Sequence, residues 1–150
     1  MRDRQLPETN RNLTLFIAED SAILRMHLAT ILTEIRGMRV IGHADTTDKA
    51  IESILRLQPD VIILDIRMPG KGGIHVLQNI RQQLPAAIIL IYTDYPFPQY
   101  RKKCLMDGAD YFFDKATETE LLIETIRQLA AGESPALSRN PMSTSPEDNS

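Results

Sequence analysis

Asp65 stands where a carboxylate is costly. It follows the run VIIL (61–64), four apolar residues of which three are β-branched, and the chain then turns over Met68-Pro69-Gly70. Such a run reads as a strand buried on both faces, and a charge at its end must find a partner or stay near water. Three other apolar runs end in polar residues. LTLFIA (13–18) leads into Glu19-Asp20, AAIILIY (86–92) into Thr93, and DYFFD (110–114) into Lys115. If these ends meet, three carboxylates, a hydroxyl and an ammonium share one rim. Like charges a few ångströms apart repel, and one acid would be forced to protonate unless a cation sat between them. A hard divalent cation with oxygen ligands resolves this, and Mg²⁺ fits best, because it takes one or two carboxylates and keeps its other positions for water or a phosphate oxygen. The set then holds the parts for phosphoryl transfer: a nucleophile, a metal, and two groups to hold a trigonal PO₃ unit. Taken singly, Asp65 reads as a turn residue, Glu19-Asp20 as helix N-terminal acids, Thr93 as a strand end and Lys115 as a solvated lysine. Their convergence is what makes a site.

Convergence depends on the elements between. Ser21 caps a helix whose Leu24, Leu28, Ile31, Leu32 and Ile35 form one apolar stripe that Gly37 stops. MRVIGHA (38–44) is a second strand, and residues 47–57 form a helix presenting Ile51, Ile54 and Leu55. The third strand spans 60–64. Ile74, Leu77, Ile80 and Leu84 mark a third helix that Pro85 ends. The fourth strand spans 86–92, and a weaker fourth helix, about 98–107, is opened by Pro96 and Pro98. Gly108 leads into the fifth strand at 110–114, and a helix over 118–131 carries Leu122, Ile126 and Leu129. Five apolar strands alternating with five helices predict an α/β fold, a flavodoxin-like doubly wound parallel sheet of order 2-1-3-4-5. Ligands of such sheets bind beyond the carboxyl ends of the strands, at the switch point between strands 1 and 3. Glu19, Asp20 and Asp65 fall there.

With these residues in place, the chain resembles the receiver domain of bacterial two-component response regulators. The resemblance is carried by the acid pair in FIAEDS, the acceptor motif LDIRMPG, the threonine in IYTD and the lysine in FFDKA, and it covers nearly all of residues 13–131. Asp20 and Asp65 are 45 positions apart and Thr93 and Lys115 are 22 apart, as in the family. The resemblance implies that Asp65 accepts a phosphoryl group from a sensor histidine kinase or phosphotransfer protein. It implies Mg²⁺ held by Glu19, Asp20, Asp65 and the backbone carbonyl of Arg67. Lys115 and Thr93 would bind phosphoryl oxygens, and Phe112 would fill the space Thr93 leaves, switching a protein-interaction surface on the fourth helix, fifth strand and fifth helix. Such a chain is a phospho-acceptor with slow self-catalysed phosphorylation and dephosphorylation rather than an enzyme proper, and a homodimer formed on phosphorylation is a further expectation. Asp94 stands where the family usually has a small residue, so slowed phosphorylation, hydrolysis or both are expected. Ala116 replaces the frequent proline after the lysine, Phe112 lacks a tyrosine hydroxyl, and Arg67 and Tyr95 occupy positions that tune hydrolysis in the family.

Other function classes fit less well. A phosphatase of the haloacid dehalogenase type needs a second acid two residues after its nucleophilic aspartate, where Arg67 stands. A flavodoxin needs a hydroxyl-rich phosphate loop in place of AEDSA, and the P-loop motif is absent. His27, His43 and His75 are scattered without ligand spacing. A net charge of −3 and a pI near 5.6 give no electrostatic case for nucleic-acid contact by these residues. No run reaches the ~18 apolar residues of a membrane span, and one cysteine, Cys104, suits a reducing compartment, so a cytoplasmic protein without membrane contact is expected. Residues 1–12 and 132–150 are polar, the latter holding three of the nine prolines, and read as a flexible N-terminal segment and a flexible tail or linker around a domain at 13–131. The stretch from Asp110 to Arg139 also resembles receivers that precede a LuxR-type helix-turn-helix domain. Two contexts stay open: a stand-alone receiver with an unidentified output partner, or the regulatory part of a DNA-binding transcription factor.

Overall fold

The computed structural model describes residues 12–141. Five strands, β1 (Leu13–Ala18), β2 (Met38–Ala44), β3 (Val61–Leu64), β4 (Ile88–Thr93) and β5 (Tyr111–Asp114), form one sheet of order β2-β1-β3-β4-β5. Every neighbouring pair is parallel. Between them lie α1 (Ala22–Thr33), α2 (Thr47–Leu57), α3 (Gly73–Gln83) and α4 (Pro98–Met106), and α5 (Thr119–Ala130) follows β5. The doubly wound topology is the one the alternation of runs predicts.

Side chains alternate across each strand, so a continuously apolar strand feeds two cores. Phe16, Ile62, Leu64, Ile89, Ile91 and Phe112 point to the layer closed by α2, α3 and α4. Leu15, Ile17, Ile63, Leu90 and Phe113 point to the layer closed by α1 and α5 through Leu28, Leu32, Leu122 and Ile126. Ser21 Oγ accepts the Leu24 amide at 3.2 Å and Thr46 Oγ1 accepts the Lys49 amide at 3.3 Å, which starts α1 and α2. Pro98 opens α4, a nine-residue helix.

The differences from the sequence reading lie at element ends. β3 starts at Val61 rather than at Asp60, although the Asp60 amide donates to the Thr14 carbonyl at 3.0 Å and the Asp60 carbonyl accepts the Ile88 amide at 2.9 Å; the Asp60 carboxylate accepts the Thr14 amide at 2.9 Å and hydroxyl at 3.0 Å. α1 stops at Thr33, and the Ile35 amide donates to Leu32 in a tighter turn that still buries the Ile35 side chain. Composition reads a flexible tail from 132, but residues through Pro141 are docked. Leu137 packs on the α1–α5 side of the sheet, Arg139 Nε donates to Asp110, and Asn140 Nδ2 donates to the carbonyls of Leu105 and Ala109 at 2.9 and 2.7 Å. The expectations for residues 1–11 and 142–150 lie outside the described residues. No helix among the described residues is long and apolar enough to cross a membrane.

Candidate functional site

Register brings the strand ends level. Ala18 pairs with Leu64 and Leu64 with Ile91, so Glu19 and Asp65 leave the sheet side by side, and the Asp65 amide donates to Ala18 at 3.0 Å. Thr93 pairs with Asp114, which puts Lys115 one residue beyond the rim of β5. The sheet thus aims three acids and one ammonium at a single open cleft of about 520 Å³.

Glu19 is 2% exposed and Asp65 4%, while Asp20 is exposed. The Glu19 side chain folds back so that Oε2 accepts the Ser21 amide at 3.0 Å, and Arg25 Nη1 donates to the Glu19 carbonyl at 2.8 Å. Asp65 Oδ1 accepts the Arg67 amide at 3.2 Å. Lys115 Nζ bridges the pair, donating to Asp65 Oδ2 at 3.0 Å and lying 2.7 Å from Glu19 Oε1. One oxygen of each of Glu19, Asp20 and Asp65 lies within 4.8 Å of the others.

Burial raises the pKa of both Glu19 and Asp65 above the ordinary carboxylate range, with Lys115 pulling each back only in part. Burial alone would depress the Lys115 ammonium, but its bond to Glu19 and the charge of Asp65 outweigh this and hold its pKa above the usual lysine value. Three carboxylates face one ammonium, so the cleft carries excess negative charge. Among the described residues, buried Glu19 Oε1 has no polar partner other than the Lys115 ammonium 2.7 Å away. An all-oxygen donor set with an under-satisfied buried oxygen suits a hard divalent cation.

Thr93 and Phe112 stand apart from this group. Thr93 is fully buried at the end of β4, and its hydroxyl accepts the Tyr95 amide at 3.0 Å. Phe112 is packed with Cys104 and Ala109 in the core, 5% exposed, with the Arg101 guanidinium 5.4 Å from its ring centroid. Asp94 is exposed and lines the cleft, as does Arg67, whose guanidinium lies 4.4 Å over the Tyr95 ring. That stack walls the cleft on the α4 side and had no sequence signal beyond the two residue types. Thr47 also escaped the sequence reading. It looks like a second cap residue beside Thr46, yet it is fully buried and bonded to the β3–α3 loop.

Known proteins resemble this chain. The chain is 34% identical over 133 residues to the uncharacterized transcriptional regulatory protein YvfU of Bacillus subtilis, covering 87% of this chain and 66% of that protein. It is 27% identical over 124 residues to response regulator GacA of Pseudomonas aeruginosa, covering 81% of this chain and 56% of GacA. The chain thus spans between about half and two thirds of the length of these curated relatives. The crystal structure of a LuxR-family two-component response regulator from Aurantimonas sp. SI85-9A1 superposes with a TM-score of 0.74 at 26% identity, covering 82% of this chain and 88% of that one. Residues 15–127 match the response regulator receiver domain, and the chain belongs to that family.

Proposed function

We propose that Asp65 is the phospho-acceptor of this receiver domain, loaded by a sensor histidine kinase or phosphotransfer protein in the cytoplasm. The observation that carries this reading is the Lys115 ammonium, held between Asp65 and Glu19 at the mouth of an open cleft with Asp20 alongside. An oxygen of Asp65 attacks the phosphorus of the donor phosphohistidine. A P–O bond forms, the P–N bond breaks, and the imidazole leaves with the bonding pair and takes up a proton. Glu19, Asp20, Asp65 and the Arg67 carbonyl would hold Mg²⁺, which neutralises charge as two anionic groups meet. Lys115 then exchanges its bond to Asp65 for one to a phosphoryl oxygen. The Thr93 hydroxyl, which uses a lone pair on the Tyr95 amide, keeps its proton to donate to a second oxygen. Drawing Thr93 toward the phosphoryl group opens room beside β5 for Phe112, and the surface of α4, β5 and α5 changes with it. Moving such an equilibrium from 1:99 to 99:1 takes ~5.5 kcal/mol of differential binding. Charge-assisted bonds from Lys115 and Thr93 supply a large part of it.

The test is incubation with acetyl phosphate and Mg²⁺, read by intact mass. The wild type should gain one phosphoryl group and Asp65→Asn none; equal uptake by both would overturn the assignment. Asp94 adds a negative charge to the mouth of the cleft. Two unit charges 4 Å apart in water interact by about 1 kcal/mol, so Asp94→Ala should speed uptake from acetyl phosphate by about fivefold. A time course of the two proteins side by side checks this, and identical rates would remove Asp94 from the account.

A second reading concerns context. The curated relatives are longer than this chain, and a structural neighbour is a LuxR-family regulator. These favour a receiver that controls a LuxR-type DNA-binding domain.

A further inference from the structure

We infer that Thr47, which does not line the cleft, is a positioning residue for the proposed divalent-cation site, acting through the β3–α3 loop. This inference rests on the cation site proposed above. The loop from Ile66 to Gly72 carries Arg67, Met68 and Pro69, which form one wall of the cleft. Its base is closed by the Gly73 amide donating to the Ile66 carbonyl at 2.7 Å. Its tip is fastened by Thr47 alone among the described side chains: the Thr47 hydroxyl donates to the Pro69 carbonyl at 3.0 Å and accepts the Gly72 amide at 2.8 Å, and the Thr47 amide donates to the same Pro69 carbonyl at 2.9 Å.

The two residues so held lie 22 and 25 positions later in the chain, so the brace joins the N-terminus of α2 to a loop from the other side of β3. The Thr47 side of the brace is buried, with no exposed surface, while Pro69 on the loop side stays exposed. The brace is also close-fitting. Gly70 adopts φ +104°, and a Cβ placed there would come within 2.9 Å of the Thr47 side chain. The bond from Pro69 gives an otherwise unpaired first-turn amide of α2 an acceptor, so helix and loop each complete the other. A backbone carbonyl contributes to a cation site only if its peptide plane is held in place, and the Arg67 carbonyl has no side-chain freedom with which to adjust. Thr47 therefore sets the loop, and the loop sets the Arg67 backbone next to Asp65, whose Oδ1 already accepts the Arg67 amide at 3.2 Å. Removing a group bonded directly to a metal ligand typically weakens metal binding about 10–100-fold, and Thr47, which acts one step further out through the loop, falls at the low end of that range.

The variants are Thr47→Val, which keeps the shape and removes the hydroxyl, and Thr47→Ser, which keeps the hydroxyl and removes the methyl. Mg²⁺ affinity of the full chain is measured by titration calorimetry without any phosphoryl donor, and exchange of the Gly72 amide by NMR. Thr47→Val should bind Mg²⁺ about tenfold more weakly and exchange the Gly72 amide faster, while Thr47→Ser should stay within about twofold of wild type on both. Should Thr47→Val not fold, Thr47→Ala replaces it in the same comparison. Unchanged Mg²⁺ affinity in Thr47→Val, or an equal loss in Thr47→Ser, overturns the inference while leaving the cation site standing. A wild type that binds no Mg²⁺, or one whose affinity survives Asp20→Asn and Glu19→Gln, overturns the cation site and the inference with it.

Discussion

Lys115→Met is expected to lower stability in cation-free buffer at pH 8 by about 3–5 kcal/mol, the usual cost of stripping one partner from a buried ion pair. The Lys115 side chain is 8% exposed and serves both Glu19 and Asp65, so its loss leaves two buried carboxylates facing each other. The deficit must depend on pH in a definite direction. Both acids have folded pKa values raised by burial, so the folded state holds protons that the unfolded chain has released. Their contribution to stability therefore falls as pH rises from the ordinary carboxylate range through the folded values. Without Lys115 those values rise further, so lower pH favours a proton on one of the two acids and relieves the repulsion, and the deficit should be smaller at pH 5 than at pH 8. The ammonium itself works the opposite end: its pKa is raised above 10.5, so the stability it brings is complete below that pH and fades as pH climbs through the folded value. Mg²⁺ at about 100 times the variant's dissociation constant should stabilise it by about 2.7 kcal/mol by mass action, and the wild type by less at the same concentration, because Lys115 competes with the cation for the Glu19 and Asp65 oxygens. Urea unfolding at pH 5 and pH 8, with and without Mg²⁺, reads all of this. A deficit indifferent to both pH and Mg²⁺ would mean that only the packing of the lysine stem had been lost.

Why the charged rim was legible in the sequence while its supports were not is a matter of range. VIIL and LTLFIA announce buried strands because a strand covered on both faces has no place for polar residues, and the first acid after such a run marks where the sheet ends. Glu19, Asp20, Asp65 and Lys115 could thus be gathered once strand order was known, and order follows from handedness and alternation. The ends of elements were less legible. Asp60 sits at the strand margin: its backbone bonds to Thr14 and Ile88 while its carboxylate also bonds Thr14, and nothing local announces where such a strand stops. Thr46 and Thr47 are adjacent and identical, and nothing local tells which hydroxyl caps the helix and which turns inward to a loop some twenty residues on. The contacts of the tail were hidden for a related reason. Composition measures how much apolar surface a segment can bury, and residues 132–141 bury little, but Leu137, Arg139 and Asn140 dock by specific contacts that composition does not register.

The tail's anchor carries the second large effect. Asp110 has no exposed side-chain surface, and its Oδ2 accepts Arg81 Nη2 at 2.9 Å and the Ile89 amide at 2.8 Å, while Oδ1 accepts Arg139 Nε. Arg81 is itself largely buried, and its guanidinium donates to the carbonyls of Gly108, Leu84, Pro85 and Ala87, so it cannot turn outward without breaking them. Burial lowers its pKa from the usual arginine value despite the charge of Asp110. Asp110→Ala therefore strands a guanidinium and a β4 amide together, and the expected loss is about 3–5 kcal/mol, roughly 10 °C in Tm. Arg139→Ala removes the other cation, but that side chain is 40% exposed and the pair is partly solvated. Exposed pairs are worth up to about 1 kcal/mol, so Tm should fall by no more than a few degrees. The two variants agree on one readout and part on the other. Both should speed exchange of the Asn140 amide, which donates to the Asp110 carbonyl at 3.0 Å, and Asp110→Ala should weaken the domain far more than Arg139→Ala. Equal losses of Tm would shift the energy from the Arg81–Asp110 pair to the docked tail, and an unchanged Asn140 amide in Arg139→Ala would show that Leu137 and the Asn140 side chain hold the segment without the arginine.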